Sequence, residues 1–140
     1  MSDKHFHLKL DATYTEDKNR IDDLNLEVLH EKKWEPLVDL GIHSPGFLLF
    51  INALFSCQHL YMRANCAERD LVLESAHGEL QVDTSATWEI KHIDVLFNAR
   101  LKSGQPTRDD LNYITERMRH CPVSTNLPAH IQLNIKVNLA

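Results

Sequence analysis

The sequence contains few glycines, prolines and cysteines. Its 140 residues include four Gly, five Pro and three Cys. So little Gly and Pro excludes a disordered or collagen-like chain. A chain of this length can bury one adequate core, so we assign residues 1–140 to a single domain. Three cysteines in a reducing compartment are more typical of reactive, metal-binding or buried thiols than of structural disulfides.

Long apolar runs and excess positive charge are also missing. The longest apolar run, FLLFINALFSC, has eleven residues and is interrupted by Asn52, which is too short to cross a bilayer. The N-terminal MSDKHFHLKLDATY alternates and lacks the apolar core of a signal peptide, so we expect a cytoplasmic protein. A net charge of -5 and a pI near 5.9 predict no nucleic-acid partner, and no basic cluster indicates a membrane partner.

Motifs for the common cofactors are absent. The sequence contains no Gly-rich phosphate loop, nucleophile elbow or paired-carboxylate motif. Nine histidines occur, but the close pairs Cys57/His59 and His120/Cys121 do not have the spacing of a zinc site. We therefore expect no cofactor and no metal ion.

The hydrophobic pattern predicts an α+β fold. Residues 5–14 alternate with period two, and 24–29 and 33–40 continue as shorter strands. A long buried helix follows over about 45–67, with Ser44 as its N-cap. Strands are predicted over 71–82 and 87–101, with a bulge near Lys91 and His92. Thr107 and Asp110 form a capping box for a second helix, and residues 130–140 form a last strand.

The three cysteines differ in their predicted positions. Cys57 and Cys66 lie nine residues apart on one helix, which separates them by roughly 180° and about 13.5 Å, so they cannot pair. Cys121 continues the apolar face of the second helix beside Pro122, which cannot extend that helix. Cys121 could approach either of the other two. From the sequence alone, each cysteine is more typical of an inert buried thiol than of a nucleophile.

A family resemblance rests on two segments. SPGFLLFINALFSCQHLYMRANCAER, followed some way downstream by CPVSTNL, resembles the OsmC and organic hydroperoxide resistance family. The resemblance implies an OsmC-like fold, with antiparallel sheets around a long buried central helix. It also implies an intertwined homodimer with each thiol pocket near the subunit interface.

The same resemblance implies a thiol-dependent peroxidase. Cys57 would attack an organic hydroperoxide and become a sulfenic acid. Cys121 would resolve it as a disulfide, which a small or protein dithiol would reduce. The family places an arginine from an early loop beside the first cysteine, a role that falls to Arg20. Lys18, Arg119 and Arg63 of the partner subunit are the alternatives.

One departure from the family pattern supports other functions. Phe47 stands where the hydroperoxidases have the glutamate that holds this arginine, and no acid occurs between Ser44 and Cys57. The alternative is a non-catalytic OsmC-like dimer that binds a small apolar ligand or serves a structural or stress role. A protein-interaction module unrelated to redox chemistry is the third reading.

Overall fold

The computed structural model describes residues 2–140, which form one six-stranded sheet with helices packed on one face. The strands are β1 (Lys4–Tyr14), β2 (Ile21–His30), β3 (Lys33–Pro36), β4 (Val72–Thr84), β5 (Ile90–Ser103) and β6 (Gln132–Leu139). The helices are α1 (Gly46–Glu68), α2 (Arg108–Arg119) and α3 (Pro122–Thr125). None of these helices combines the length and the apolar composition needed to cross a lipid bilayer.

The strand order across the sheet is β3-β2-β1-β4-β5-β6. The α+β class is confirmed, but the all-antiparallel pairing implied by the resemblance is corrected at one edge. β6 pairs in parallel with β5, because the chain crosses one face of the sheet through α2 and α3 before it returns. A parallel pair requires such a crossover.

Alternation along β1 produces the buried face of the sheet. Leu8, Leu10 and Ala12 are buried and lie opposite Leu80, Gly78 and Ala76 of β4. The predicted bulge in β5 is confirmed. Asp83 pairs with His92 and Thr84 pairs with Ile90, which leaves Lys91 as the extra residue.

The start of α1 corrects one prediction. The N-cap is Pro45, not Ser44, and no side chain caps this end of the helix. The Ser44 hydroxyl instead accepts a hydrogen bond from the Gly41 N–H at 3.1 Å. The hydroxyl therefore stabilises the turn before the helix, and it is unavailable to the first helical amides.

Helix α1 is covered by its own chain where it faces the sheet, α2 and α3. Ile51, Leu54 and Met62 are buried there. On the remaining side Phe50 is 39% exposed and Leu60 is 47% exposed. A strip of apolar surface is therefore open along α1, and the helix is not buried all round.

Helix α2 is fixed at its N-terminus as the sequence predicts. Thr107 and Asp110 form the capping box, with each side chain bonded to the other residue's backbone N–H. Arg69, just after α1, reaches Asp109 at 2.6 Å and Asp110 at 2.8 Å. This bridge joins the end of α1 to the start of α2 and so sets the position of the segment that follows.

Candidate functional site

The site forms where α1 meets the junction of α2 and α3. Cys57 lies mid-way along α1 and is partly exposed, whereas Cys121 lies between α2 and α3 and is fully buried. The Cys57 and Cys121 thiols lie close together, and each shifts the pKa of the other. Both are free thiols. Two cysteines sixty-four positions apart in the sequence thus meet at one point of the fold.

Pro122 explains how Cys121 comes to face α1. Proline cannot donate the hydrogen bond needed to continue α2, but it fits the first position of a new helix. The chain accordingly turns at His120 and Cys121 and restarts as α3. Cys121 is the N-cap of α3, and its sulfur accepts a hydrogen bond from the Ser124 N–H at 3.4 Å. The turn directs the sulfur toward α1.

Gln58 is a site residue that sequence reasoning missed. Its side chain is fully buried, and its amide nitrogen donates to Met118 O at 2.7 Å and Ser124 Oγ at 2.8 Å and contacts Cys121 Sγ at 3.3 Å. Within residues 2–140 its amide oxygen has no hydrogen-bond partner. The signal in the sequence was a long polar side chain directly after Cys57, at the end of the apolar run of α1.

The two thiols have opposite electrostatic surroundings. Burial and, as the next largest cause, the neighbouring Cys121 thiol together raise the pKa of Cys57 to about 11, against an opposing effect of the Val123 N–H. Burial also opposes ionisation of Cys121. The donors at Cys57, Ser124 and Gln58 outweigh it and hold the pKa of Cys121 below its usual value. Among the described residues, no lysine or arginine contributes to the shift at Cys57.

Arg20 lies away from the cysteine pair within one chain. It is exposed and pairs with Asp17 at 3.1 Å. Its neighbour Asn19 is buried and fixes the β1–β2 turn by donating to Arg63 O at 3.2 Å and Leu71 O at 3.0 Å, near the end of α1. The structure therefore does not join Arg20 to Cys57 in a single subunit, and its catalytic role stays a prediction.

The alternative cations are placed as follows. Arg119 is exposed and donates to Leu133 O at 2.9 Å. Lys18 is exposed in the same β1–β2 turn as Arg20. Arg63 lies near Tyr14 and His59 on α1, and its buried Nε has no partner among residues 2–140. None of the three contributes to the shift in the pKa of Cys57.

Cys66 takes no part in the pair. It is fully buried, and its sulfur lies 3.9 Å from the Met62 sulfur. Burial raises the pKa of Cys66 to about 12, so it stays protonated at neutral pH. The expected separation of Cys57 and Cys66 on opposite sides of α1 is confirmed.

Phe47 belongs to an aromatic cluster at the start of α1. Its ring centroid lies 5.0 Å from Phe6, 5.3 Å from Trp88 and 6.3 Å from Phe50. An open cavity of about 590 Å³ adjoins this cluster, and its apolar lining includes Phe6, Val28, Leu37, Phe47, Leu48 and Trp88. Glu31 and Glu35 line the same cavity, so Phe47 packs among aromatic rings at the edge of a cavity of mixed polarity.

The histidines on the outer face of the sheet pair with acids. His7 lies 2.6 Å from Glu79, and His77 lies 2.8 Å from Asp11 and 3.0 Å from Glu79. Across the described part of the chain, no group of three His, Cys, Asp or Glu side chains is placed to hold a metal ion.

No family model and no curated protein sequence matches this chain. Solved structures do match it. An OsmC-like protein from Mycoplasma pneumoniae has a TM-score of 0.56 at 9% identity, covering 93% of this chain and 95% of its own. An OsmC-like hydroperoxide resistance protein from Jannaschia sp. has a TM-score of 0.55 at 16% identity, covering 87% and 85%.

A third structure, from Psychrobacter arcticus and provisionally named an osmotic stress induced and detoxification response protein, has a TM-score of 0.57 at 10% identity. That match covers 99% of this chain and 96% of the other. At such identities the likeness is one of fold. The chain is thus an α+β protein with a cysteine pair between its central helix and a crossover helix. It has the OsmC-like fold.

Proposed function

We propose that this protein is an OsmC-family thiol-dependent peroxidase that reduces organic hydroperoxides. The observation that carries the proposal is the contact between Cys57 and Cys121. Two thiols that meet from distant parts of a fold can close a disulfide without unfolding the chain. The likeness to a hydroperoxide resistance protein supports the choice of substrate class.

The difference in solvent exposure between Cys57 and Cys121 supports their assignment as attacking and resolving cysteine. Cys57 is partly exposed and Cys121 is fully buried, so an incoming peroxide meets Cys57 first. The Cys57 thiolate attacks one peroxide oxygen, the O–O bond breaks, and the alkoxide leaves and is protonated to the alcohol. Cys57 is then a sulfenic acid. Cys121 displaces its hydroxyl as water to form the disulfide, and a small or protein dithiol reduces that disulfide in exchange for its own oxidation.

We infer a homodimer from surface that one chain leaves open. Phe50 and Leu60 expose large apolar side chains on one side of α1, and Leu24 of β2 is 41% exposed. A second copy laid on this strip would remove that area from water. In such a dimer the exposed β1–β2 turn of one subunit could bring Arg20 to Cys57 of the other, where a cation would lower the pKa of Cys57.

A non-catalytic function is the second candidate, and Phe47 favours it. Phe47 itself supplies no carboxylate to hold an activating arginine, and the adjoining cavity, which apolar side chains line together with Glu31 and Glu35, could take a small ligand. In that case the cysteine pair would be a buried contact with no turnover.

Peptide mapping after addition of one equivalent of cumene hydroperoxide separates these candidates. A peroxidase is expected to give a Cys57–Cys121 disulfide in the wild-type protein. Cys57→Ser is expected to abolish peroxide consumption, and Cys121→Ser is expected to overoxidise at Cys57. Cys66→Ser, outside the pair, is the control and should leave consumption unchanged. Unchanged turnover in Cys57→Ser would refute the proposal.

The dimer is tested separately. Sedimentation of the wild-type protein is expected to give a species of twice the chain mass. Leu60→Asp places a charge on the open strip of α1 and is expected to give monomers. A wild-type monomer at all concentrations tested would refute the dimer and, with it, the supply of Arg20 from a second subunit.

A further inference from the structure

The cavity beside the start of α1 combines aromatic rings with negative charge. Its volume of about 590 Å³ is typical of a small-molecule site. Phe6, Phe47 and Trp88 contribute three aromatic rings to the lining, and Glu31 and Glu35 contribute two acidic side chains. In the part of the chain that the structure describes, no lysine or arginine lines this cavity. The lining therefore favours a cation with an apolar body over a neutral or an anionic ligand.

The two acidic side chains are accessible to a ligand. Glu31 is exposed in the turn between β2 and β3. Glu35 lies 3.6 Å from His30 Nδ1, and both of these side chains are more than half exposed. An exposed contact of this length contributes little, so Glu35 remains open to a stronger cation. The other histidine of the lining, His5, contacts Asp83 at 2.6 Å and so does not neutralise either glutamate.

One of the three rings already has a cation against it. Lys4 Nζ lies 5.0 Å from the centroid of the Trp88 ring. The faces of aromatic rings attract lysine, arginine and ligand cations, and quaternary ammonium ligands are bound in this way. Trp88 is also 51% exposed, so the chain itself leaves much of the ring uncovered. The indole of Trp88 is thus able to contact an external cation, with Lys4 as the competing charge.

The turn between β4 and β5 holds Trp88 in an unfavourable backbone conformation. Trp88 has φ 73°, a left-handed value that is uncommon for a bulky residue. Ser85 fixes the turn, since its hydroxyl accepts from the Thr87 and Glu89 N–H groups, each at 3.2 Å. Strain of this kind is concentrated at functional positions. Because the ring is fixed before a ligand arrives, less conformational entropy is lost on binding.

We propose that this cavity binds a small organic cation, such as an alkylammonium or arylammonium ion. Its charge would lie near Trp88 and the two glutamates, and its apolar part would pack on Phe6 and Phe47. The site goes beyond the proposed peroxidase function and does not depend on it. Phe47 precedes Cys57 by ten residues on α1, which separates the two positions by about 15 Å along the helix. For the second candidate function, the proposal gives the cavity a class of ligand.

Fluorescence titration tests this class of ligand in a Trp34→Phe background, which leaves Trp88 as the only tryptophan. The probes are benzyltrimethylammonium, benzyl alcohol and benzenesulfonate, which share a phenyl ring and differ in charge. The cation is expected to bind roughly tenfold more tightly than the alcohol, as for a largely desolvated cation–π contact. Benzenesulfonate is expected not to bind. A cation that binds no more tightly than the alcohol, or no response to any of the three probes, would overturn the proposal.

Single changes of charge test whether the cavity is the site. Glu31→Gln and Glu35→Gln are each expected to weaken binding of the cation about two- to fivefold and to leave binding of benzyl alcohol unchanged. Lys4→Gln removes the competing ammonium group and is expected to strengthen binding of the cation. The matched control is Glu74→Gln, which removes an exposed acid outside the cavity and should have no effect. If Glu74→Gln weakens binding as much as the cavity variants do, the cavity is not the site.

These titrations are independent of the thiols. They use no peroxide, so a protein without peroxidase turnover still gives a definite result for the cavity. Conversely, a failed titration overturns the cation site and leaves the assignment of Cys57 and Cys121 untouched.

Discussion

Asn19 fixes the β1–β2 turn through its side chain, and its replacement should be among the more damaging single changes in the protein. The residue is buried and adopts a left-handed backbone conformation with φ 54°. Its amide nitrogen donates to Arg63 O and Leu71 O, and its amide oxygen accepts from the Leu73 N–H at 2.8 Å. Three separate segments therefore depend on one side chain.

The expected loss for Asn19→Ala follows from these contacts. Each net hydrogen bond contributes about 1 kcal/mol, and buried partners left unsatisfied increase the cost. Asparagine tolerates the left-handed backbone conformation better than alanine does, so placing alanine there adds about 1 kcal/mol to the loss. We expect the free energy of unfolding to fall by roughly 4 kcal/mol in total, measured as a lower midpoint in urea with an unchanged slope.

Two further variants separate the contributions. Asn19→Gly removes the same hydrogen bonds without the backbone strain and should recover about 1 kcal/mol relative to alanine. Lys18→Ala is the matched control, because Lys18 has φ 57° and an exposed side chain. Lys18→Ala should change the free energy of unfolding by less than about 1 kcal/mol, because the Lys18 side chain is exposed. If Asn19→Ala loses no more than Lys18→Ala, the turn is held by something other than this side chain.

Three more perturbations have calculable directions. Burial, with a smaller effect of Arg63, lowers the pKa of His59 to about 3, so the unfolded chain binds a proton there first as pH falls. Between about pH 6 and pH 4 this site should reduce the free energy of unfolding by roughly 1.4 kcal/mol per pH unit, and urea titrations of His59→Gln should lack that slope. Gly78→Ala should lower the free energy of unfolding by several kcal/mol in the same assay, roughly the cost of severe overpacking. The reason is that an added Cβ would lie 2.5 Å from the Phe97 ring. A small loss would contradict the close packing of Gly78 against Phe97. Cys66 should resist iodoacetamide in the native protein up to high pH, as its raised pKa and burial require, and rapid labelling would contradict its placement.

Local patterns explain why the elements could be predicted. The period-two run in β1 and the capping box of α2 each depend on residues only a few positions apart, so both can be recognised in the sequence. The bulge at Lys91 was likewise visible as a change of parity along β5. Ser44 failed as an N-cap because its hydroxyl had a competing local partner in the Gly41 N–H, a choice that residue type alone does not decide.

The site was harder to predict because it is built across the fold. The pairing of Cys57 with Cys121 came from family resemblance, and residue spacing had left Cys66 as an equal candidate. Gln58 escaped notice because the three residues that its amide nitrogen contacts lie about sixty positions downstream. The direction of β6 was missed for a similar reason, since parallel pairing depends on the path of the crossover and not on the alternation of the strand itself.

That parallel β6 has a consequence during synthesis. A ribosome releases α1 long before the crossover and the final strand, and a strand beside β5 cannot dock until α2 and α3 have emerged. The surroundings of Cys121 are thus completed late in synthesis. A nascent chain that meets an oxidant before then contains Cys57 but no second cysteine with which Cys57 can form a disulfide.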